Sequence, residues 1–325
     1  MTLKQIDRKL QKLMPFLTPS GVVLGVLFSQ HLQPFAFLVP WMFGFMTFVG
    51  SLGSGLGEFV RSVTKPYQLI VTMIILHIVM PLIAFGIAKL LFPDDGYLVT
   101  GLLMGAVIPI GITSMIWVSV YRGNVPLTLS VILVDTMLSP FIVPFSLKLL
   151  VGADVHIDAR AMSLGLLWMV VVPSLLGMLL HQITNGKIHA KASPVLSPLN
   201  KIGLAVVVAI NSSVVAPYLK PFSWRVAAVA ATVLFIASLG YMIGWLVARL
   251  CNWDRGILVS MVFNSGMRNI SAGAVIALTY LPAPAAVPVI LGMLFQQLLA
   301  SVYGALISRF AAERSESGPV RSHAV

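Results

Sequence analysis

The sequence predicts an all-α polytopic membrane protein: ten transmembrane helices as two inverted five-helix repeats, with the fourth helix of each repeat broken. Three observations predict this. Of 325 residues, 58% are hydrophobic and only 10% charged, and the mean hydropathy is +0.97. Soluble domains carry about a quarter charged residues, so this apolar excess has only lipid in which to hide. Apolar runs of the roughly 20 residues that span a bilayer recur ten times. Two of them are interrupted midway, the fourth by Pro109 and Gly111 and the ninth around Gly266.

The segments run approximately over 14–31, 36–53, 68–92, 97–120, 126–150, 161–183, 202–219, 226–249, 256–280 and 285–308. The first follows a basic head, "MTLKQIDRKLQKLM", as in a signal peptide. No small-residue cleavage site follows, so it reads as a retained helix. The second, "MFGFMTFVGSLGSGLG", is short and glycine-rich. No connection is long enough for a soluble domain. The chain therefore reads as one transmembrane domain over 1–325, with repeat one at about 14–150 and repeat two at about 161–308. A polar, disordered cytoplasmic tail is expected over 309–325.

Charge placement fixes the expected orientation. The net charge of +11 is carried in short basic clusters between oily runs, which excludes a nucleic-acid groove. With the N-terminus inside, 15 of the 21 Lys and Arg fall on the cytoplasmic side and five outside, as the positive-inside rule requires. Both termini are then cytoplasmic. The single cysteine, Cys251, forms no internal disulfide. Two charges remain at membrane depth, Asp135 in the fifth segment and Arg268 in the ninth, and such residues are functional candidates by default.

Five spans per half is an odd number, so the second half enters the membrane from the opposite side, the inverted-repeat plan of many secondary transporters. The fourth segment, "LLMGAVIPIGITSMIWVSVY", loses a helical amide at Pro109. The ninth carries "FNSGMRNIS". Backbone groups freed at such breaks cannot be satisfied by lipid and must face protein, ion or substrate. Thr113, Ser114, Asn264, Ser265, Asn269 and Ser271 add polar side chains beside them. The paired breaks therefore read as a binding site.

From the first span to about residue 309 the chain resembles the bile acid–sodium symporters, as a bacterial member with altered sodium-site residues. The resemblance is carried by "PIGITSMIWVSVYRGNVPLTLSVILVDTMLSP" (109–140) and "GMRNISAGAVIAL" (266–278). It implies a core domain and a panel domain, with the two broken helices crossing in the core. It also implies substrate in the cleft beside that crossing, organic anions as cargo, sodium as the driving ion, and the cell (inner) membrane as location. The family's sodium ligands fall on Asn264 and Arg268, on Ser114 and Met115, on Thr128 and Ile132, and on Leu76 with His77 adjacent. Hard cations take about six oxygen ligands. With the carboxylate lost and a guanidinium gained, sodium coupling by the usual route is not expected, and no metal site is assigned.

Arg268 is expected to replace the sodium, bonding the bare carbonyls of the break and attracting the anionic substrate. Asp135 is its expected partner; as a proton carrier it would free Arg268 on protonation. The rival reading is a static Asp135–Arg268 bridge. The expected substrate-binding residues are Thr113, Ser114, Gly266, Arg268, Asn269, Ser271 and Gln296. The expected ion or coupling residues are Asp135, Asn264, Thr128, Ser114 and Arg268. His77 reads as a hydrogen-bonded core residue, Gln297 as cleft lining or interhelical glue, and Asn211-Ser212-Ser213 as a softened helix. A cation/proton antiporter using Asp135 is the alternative. An aspartyl intramembrane protease needs two intramembrane acids, so no enzyme is expected. The partners are a small organic anion and the bilayer, with no cofactor beyond a coupling sodium or proton.

Overall fold

The computed structural model describes residues 3–55, 57, 66–152, 157–220 and 223–316. Among these the chain forms helices and no strand. In order they are α1 (Leu3–Leu27), α2 (Ser29–Ser51), α3 (Pro66–Leu91), α4 (Gly96–Val107), α5 (Thr113–Val120) and α6 (Val125–Val151). Then follow α7 (Ala159–Ile183), α8 (Lys187–Leu219), α9 (Trp224–Leu250), α10 (Arg255–Gly266), α11 (Ile270–Tyr280) and α12 (Ala283–Glu316). Seven are long and apolar enough to cross a membrane: α2, α3, α6, α7, α8, α9 and α12. Large apolar side chains such as Trp41 (79%) and Leu90 (80%) are exposed on the outside, as expected where lipid is the solvent.

Short polar side chains start the helices. Asp95, Asn124, Asp158, Ser223, Asp254 and Asn269 each accept the amide three residues ahead, at 2.9–3.3 Å. Such caps satisfy amides that the first turn leaves without an intrahelical partner. Two wide π-turns, Ile75–Val79 and Leu167–Val171, each precede a proline, Pro81 and Pro173. A proline ring clashes with the carbonyl four residues back, and the widened turn removes the conflict.

Three boundaries differ from the sequence expectation. α1 includes the basic head instead of starting near 14. α8 begins at Lys187, not 202, and carries Pro194 and Pro198 inside it; the connection from α7 shrinks to a turn with Asn185 and Gly186 at positive φ. α12 runs to Glu316 where a tail was expected from 309; 317–325 lie outside the described residues, as do Arg61, Lys65 and Arg321 of the charge pattern.

Two packing groups position the site. α1 packs on α8, and α2 on α7 and α8. In the other group α3 packs on α4, α4 on α6 and α12, and α9 on α10 and α12. The groups meet where α7 touches α6 and where α1 and α8 touch α12.

Candidate functional site: two helix breaks in contact

α4 ends at Val107 and α10 at Gly266, and the chain beyond each turns extended at Ile108 and Met267. The breaks touch. The Asn269 amide donates to the Pro109 carbonyl at 2.7 Å, so one break satisfies a backbone group of the other. Gly111 allows the approach, since a Cβ there would stand 3.1 Å from the Arg268 carbonyl. A Cβ on Gly266 would stand 2.3 Å from the Tyr241 ring.

The first break is held by Asp135 of α6, which is fully buried. Its Oδ2 accepts the Ile110 amide at 2.6 Å. Its Oδ1 lies 2.9 Å from His77 Nε2, close but misaligned for a hydrogen bond. His77 sits in the π-turn of α3. The second break carries its own charge. The Arg268 amide donates to Gln296 Oε1 at 3.1 Å, while its side chain, 6% exposed, keeps Nη1 and Nη2 without any protein acceptor.

Two expectations are thereby corrected, the direct Asp135–Arg268 bridge and the bonding of the break's carbonyls by the guanidinium. Asp135 and Arg268 form no ion pair, although they remain within electrostatic reach. Asp135 instead approaches His77 and accepts the Ile110 amide, so no static bridge joins the two charges. Nor does the guanidinium bond the bare carbonyls of the break, since its Nη atoms bond nothing.

A cleft of about 250 Å³ opens beside the breaks, with Thr113, Arg268, Asn269, Ser271 and Gln296 in its wall. α8 adds Asn200 and Lys201, residues the sequence had left in a loop. Gly266 faces instead a smaller cavity of about 60 Å³, which shares Arg268 and Gln296 with the cleft. Ser114, Thr128 and Asn264 lie fully buried on α5, α6 and α10, helices that pack on one another, and each holds a polar oxygen without a partner. Gln297 accepts the Trp117 indole N–H at 3.1 Å. Asn211, Ser212 and Ser213 are buried in an unbroken α8.

Sequence reasoning missed the His77–Asp135 contact and the cleft positions Asn200 and Lys201. The available signal was His77 lying four residues before Pro81, where the turn must widen. No three His, Cys, Asp or Glu side chains among the described residues gather as a metal site.

A multi-pass membrane protein with two interrupted helices meeting beside a polar cleft belongs among transporters rather than enzymes. The profile of the sodium bile acid symporter family matches residues 37–222, and the chain belongs to that family. It is 50% identical to the Bacillus subtilis protein YbaS over 297 residues, 91% of this chain and 97% of that protein. It is 27% identical to the B. subtilis "uncharacterized sodium-dependent transporter YocS" over 262 residues, 78% and 80% of the two chains. To the Arabidopsis thaliana "probable sodium/metabolite cotransporter BASS1, chloroplastic" it is 27% identical over 311 residues, 92% and 75%.

Proposed function

We propose that the chain is a secondary-active transporter that carries a small organic anion by alternating access, with Arg268 as anion receptor and as the fixed charge in place of sodium. The observation that carries this is the pair of unpartnered Nη groups on Arg268 at the cleft wall. A buried charge without a partner costs several kcal/mol, and a carboxylate, sulfate or phosphate head offers the two-pronged acceptor that a guanidinium fits.

The architecture in this reading is ten spans in two inverted repeats, with core and panel domains and both termini on the cytoplasmic side of the cell (inner) membrane. Helix spacing supports the repeat. The starts at 3, 29, 66, 96, 113 and 125 recur at 159, 187, 224, 255, 270 and 283, later by 156 to 159 residues. α4 and α10 are both 12 residues long and both are capped by an aspartate. The two packing groups are the panel and the core of this scheme.

The test is a thermal-shift screen of organic monoanions and dianions on the purified protein, followed by uptake into proteoliposomes. Arg268→Gln is expected to weaken the best hit by at least about thirtyfold, as loss of a buried charge partner does. Unchanged uptake and ion dependence in that variant would sink the reading.

The unpartnered oxygens of Ser114, Thr128 and Asn264 favour a second reading, in which one sodium is still held between α5, α6 and α10. A saturable rise of the melting midpoint in sodium over choline selects it. The cation/proton antiporter reading needs an acid open to the cleft; the full burial of Asp135 weighs against it, and growth under sodium or alkaline stress separates the two.

A further inference from the structure

We propose that His77 and Asp135 form a proton-binding site behind the cleft wall, and that this site couples a proton to each anion carried. Its proton-binding part stands alone; the coupling rests on Arg268 being the anion receptor.

The site is built rather than incidental. A fully buried carboxylate and a nearly buried imidazole approach to 2.9 Å in a protein that keeps nearly all its other charges at helix ends and in turns. The imidazole reaches the carboxylate from a π-turn, a local feature found frequently at functional sites. The other carboxylate oxygen holds the Ile110 amide of the first break. Ile110 and Thr136, which flank the carboxylate in space and in sequence, both line the cleft. His77 Nδ1 is buried and unpartnered.

The charges facing the pair are few. α6 packs against α3, α4, α5, α7 and α10. From these helices only His77 meets Asp135, and Arg268 acts on it through space from the second break. Tyr67, Lys89 and Tyr97 lie in the end turns of α3 and α4. Arg160, His181 and Arg255 lie in the end turns of α7 and α10. Lys148 ends α6 itself, and Arg122 lies in the turn after α5. Lys201 reaches the cleft from α8, in the other packing group.

Charge balance then gives the coupling. With the carboxylate ionised and the imidazole neutral, the pair carries one negative charge and Arg268 one positive, so the empty core is neutral. One proton from water, placed on the carboxylate because burial disfavours the charged forms of both groups, makes the pair neutral and the core positive. A monoanion on Arg268 restores neutrality. Proton alone or anion alone leaves a net charge, which a low-dielectric path penalises. Only the empty and doubly loaded states are neutral, which means electroneutral transport of one proton with one monoanion; a dianion needs both His77 and Asp135 protonated. Protonation also reaches the breaks mechanically, because a neutral carboxyl accepts the Ile110 amide more weakly than a carboxylate does.

The experiment needs no substrate. The purified full chain, in choline buffers free of sodium, is followed between pH 5 and 8 by infrared difference spectroscopy and by thermal melting. A carboxyl C=O band that grows as pH falls is expected in the wild type, together with a pH-dependent melting midpoint. Asp135→Asn removes both, and His77→Gln displaces the pH at which the band appears. Arg268→Gln keeps the band while losing anion binding, so failure of the receptor reading is seen separately. A wild type without a titrating carboxyl band, or a band that survives Asp135→Asn, overturns the proposal. Should Asp135→Asn not fold, the wild-type spectrum and its displacement in His77→Gln decide.

Discussion

The two breaks are built alike and finished differently. Each follows a 12-residue helix with an aspartate cap, and each turns extended at the next residue. The first, around Pro109, carries no charge and borrows one: Asp135 reaches in from α6 to take its Ile110 amide. The second, around Met267, carries Arg268 and leaves its guanidinium nitrogens without acceptors. A break whose amide is taken by Asp135 serves stability, whereas the one with an unspent charge is the receptor of our proposal. Two breaks of similar build thus end differently, and the polar groups left over separate them.

That contrast is open to attack by substitution, most severely at Arg268. Arg268→Gln should melt higher than wild type without ligand, because it removes an unpaired buried charge, yet lose at least about 2 kcal/mol of anion binding. A lower ligand-free midpoint would mean that the guanidinium holds the fold after all. Asp135→Ala should move stability the other way, by about 1–3 kcal/mol, since it strands the Ile110 amide and His77. Chemical denaturation of the two variants side by side is the measurement, and loss of the same sign in both would erase the distinction. Gly266→Ala should cost about 1–3 kcal/mol by driving a methyl into the Tyr241 ring. Gly111→Ala should cost less, because its Cβ meets the Arg268 carbonyl at 3.1 Å and Thr113 Oγ1 at 3.2 Å, looser contacts than the one at Gly266. The smallest effect is expected at the caps: Asn269→Ala should lose about 1 kcal/mol at α11, and Asn124→Ala about the same at α6.

Much of this was legible in the residues. Pro109, Gly111 and Gly266 marked the breaks because their chemistry interrupts helices regardless of surroundings. Asp135 and Arg268 stood out because the rest of the chain keeps charge away from lipid depth. Their partners were not legible. Spacing along one helix tells which residues share its face, but not which face meets which neighbour; that depends on packing between α3, α6 and the break. The π-turn at Ile75–Val79 shifts the angular position of His77, so a regular 3.6-residue count misplaces it. The start of α8 was missed for another reason. The expected span began only at 202, yet Pro194 and Pro198 sit within a continuous helix from Lys187, and Lys201 consequently reaches the cleft.

The near-constant offset between corresponding helix starts has a consequence for how this chain tolerates changes in length. One residue added between 96 and 108 would rotate everything beyond it by about 100° on the helix and carry Pro109 away from Asn269, while an equal addition at 92–94, ahead of the Asp95 cap, would only lengthen a turn. Insertions should therefore be accepted or rejected according to which side of a cap they fall on, and Asp95 and Asp254 mark the boundaries where that acceptance changes.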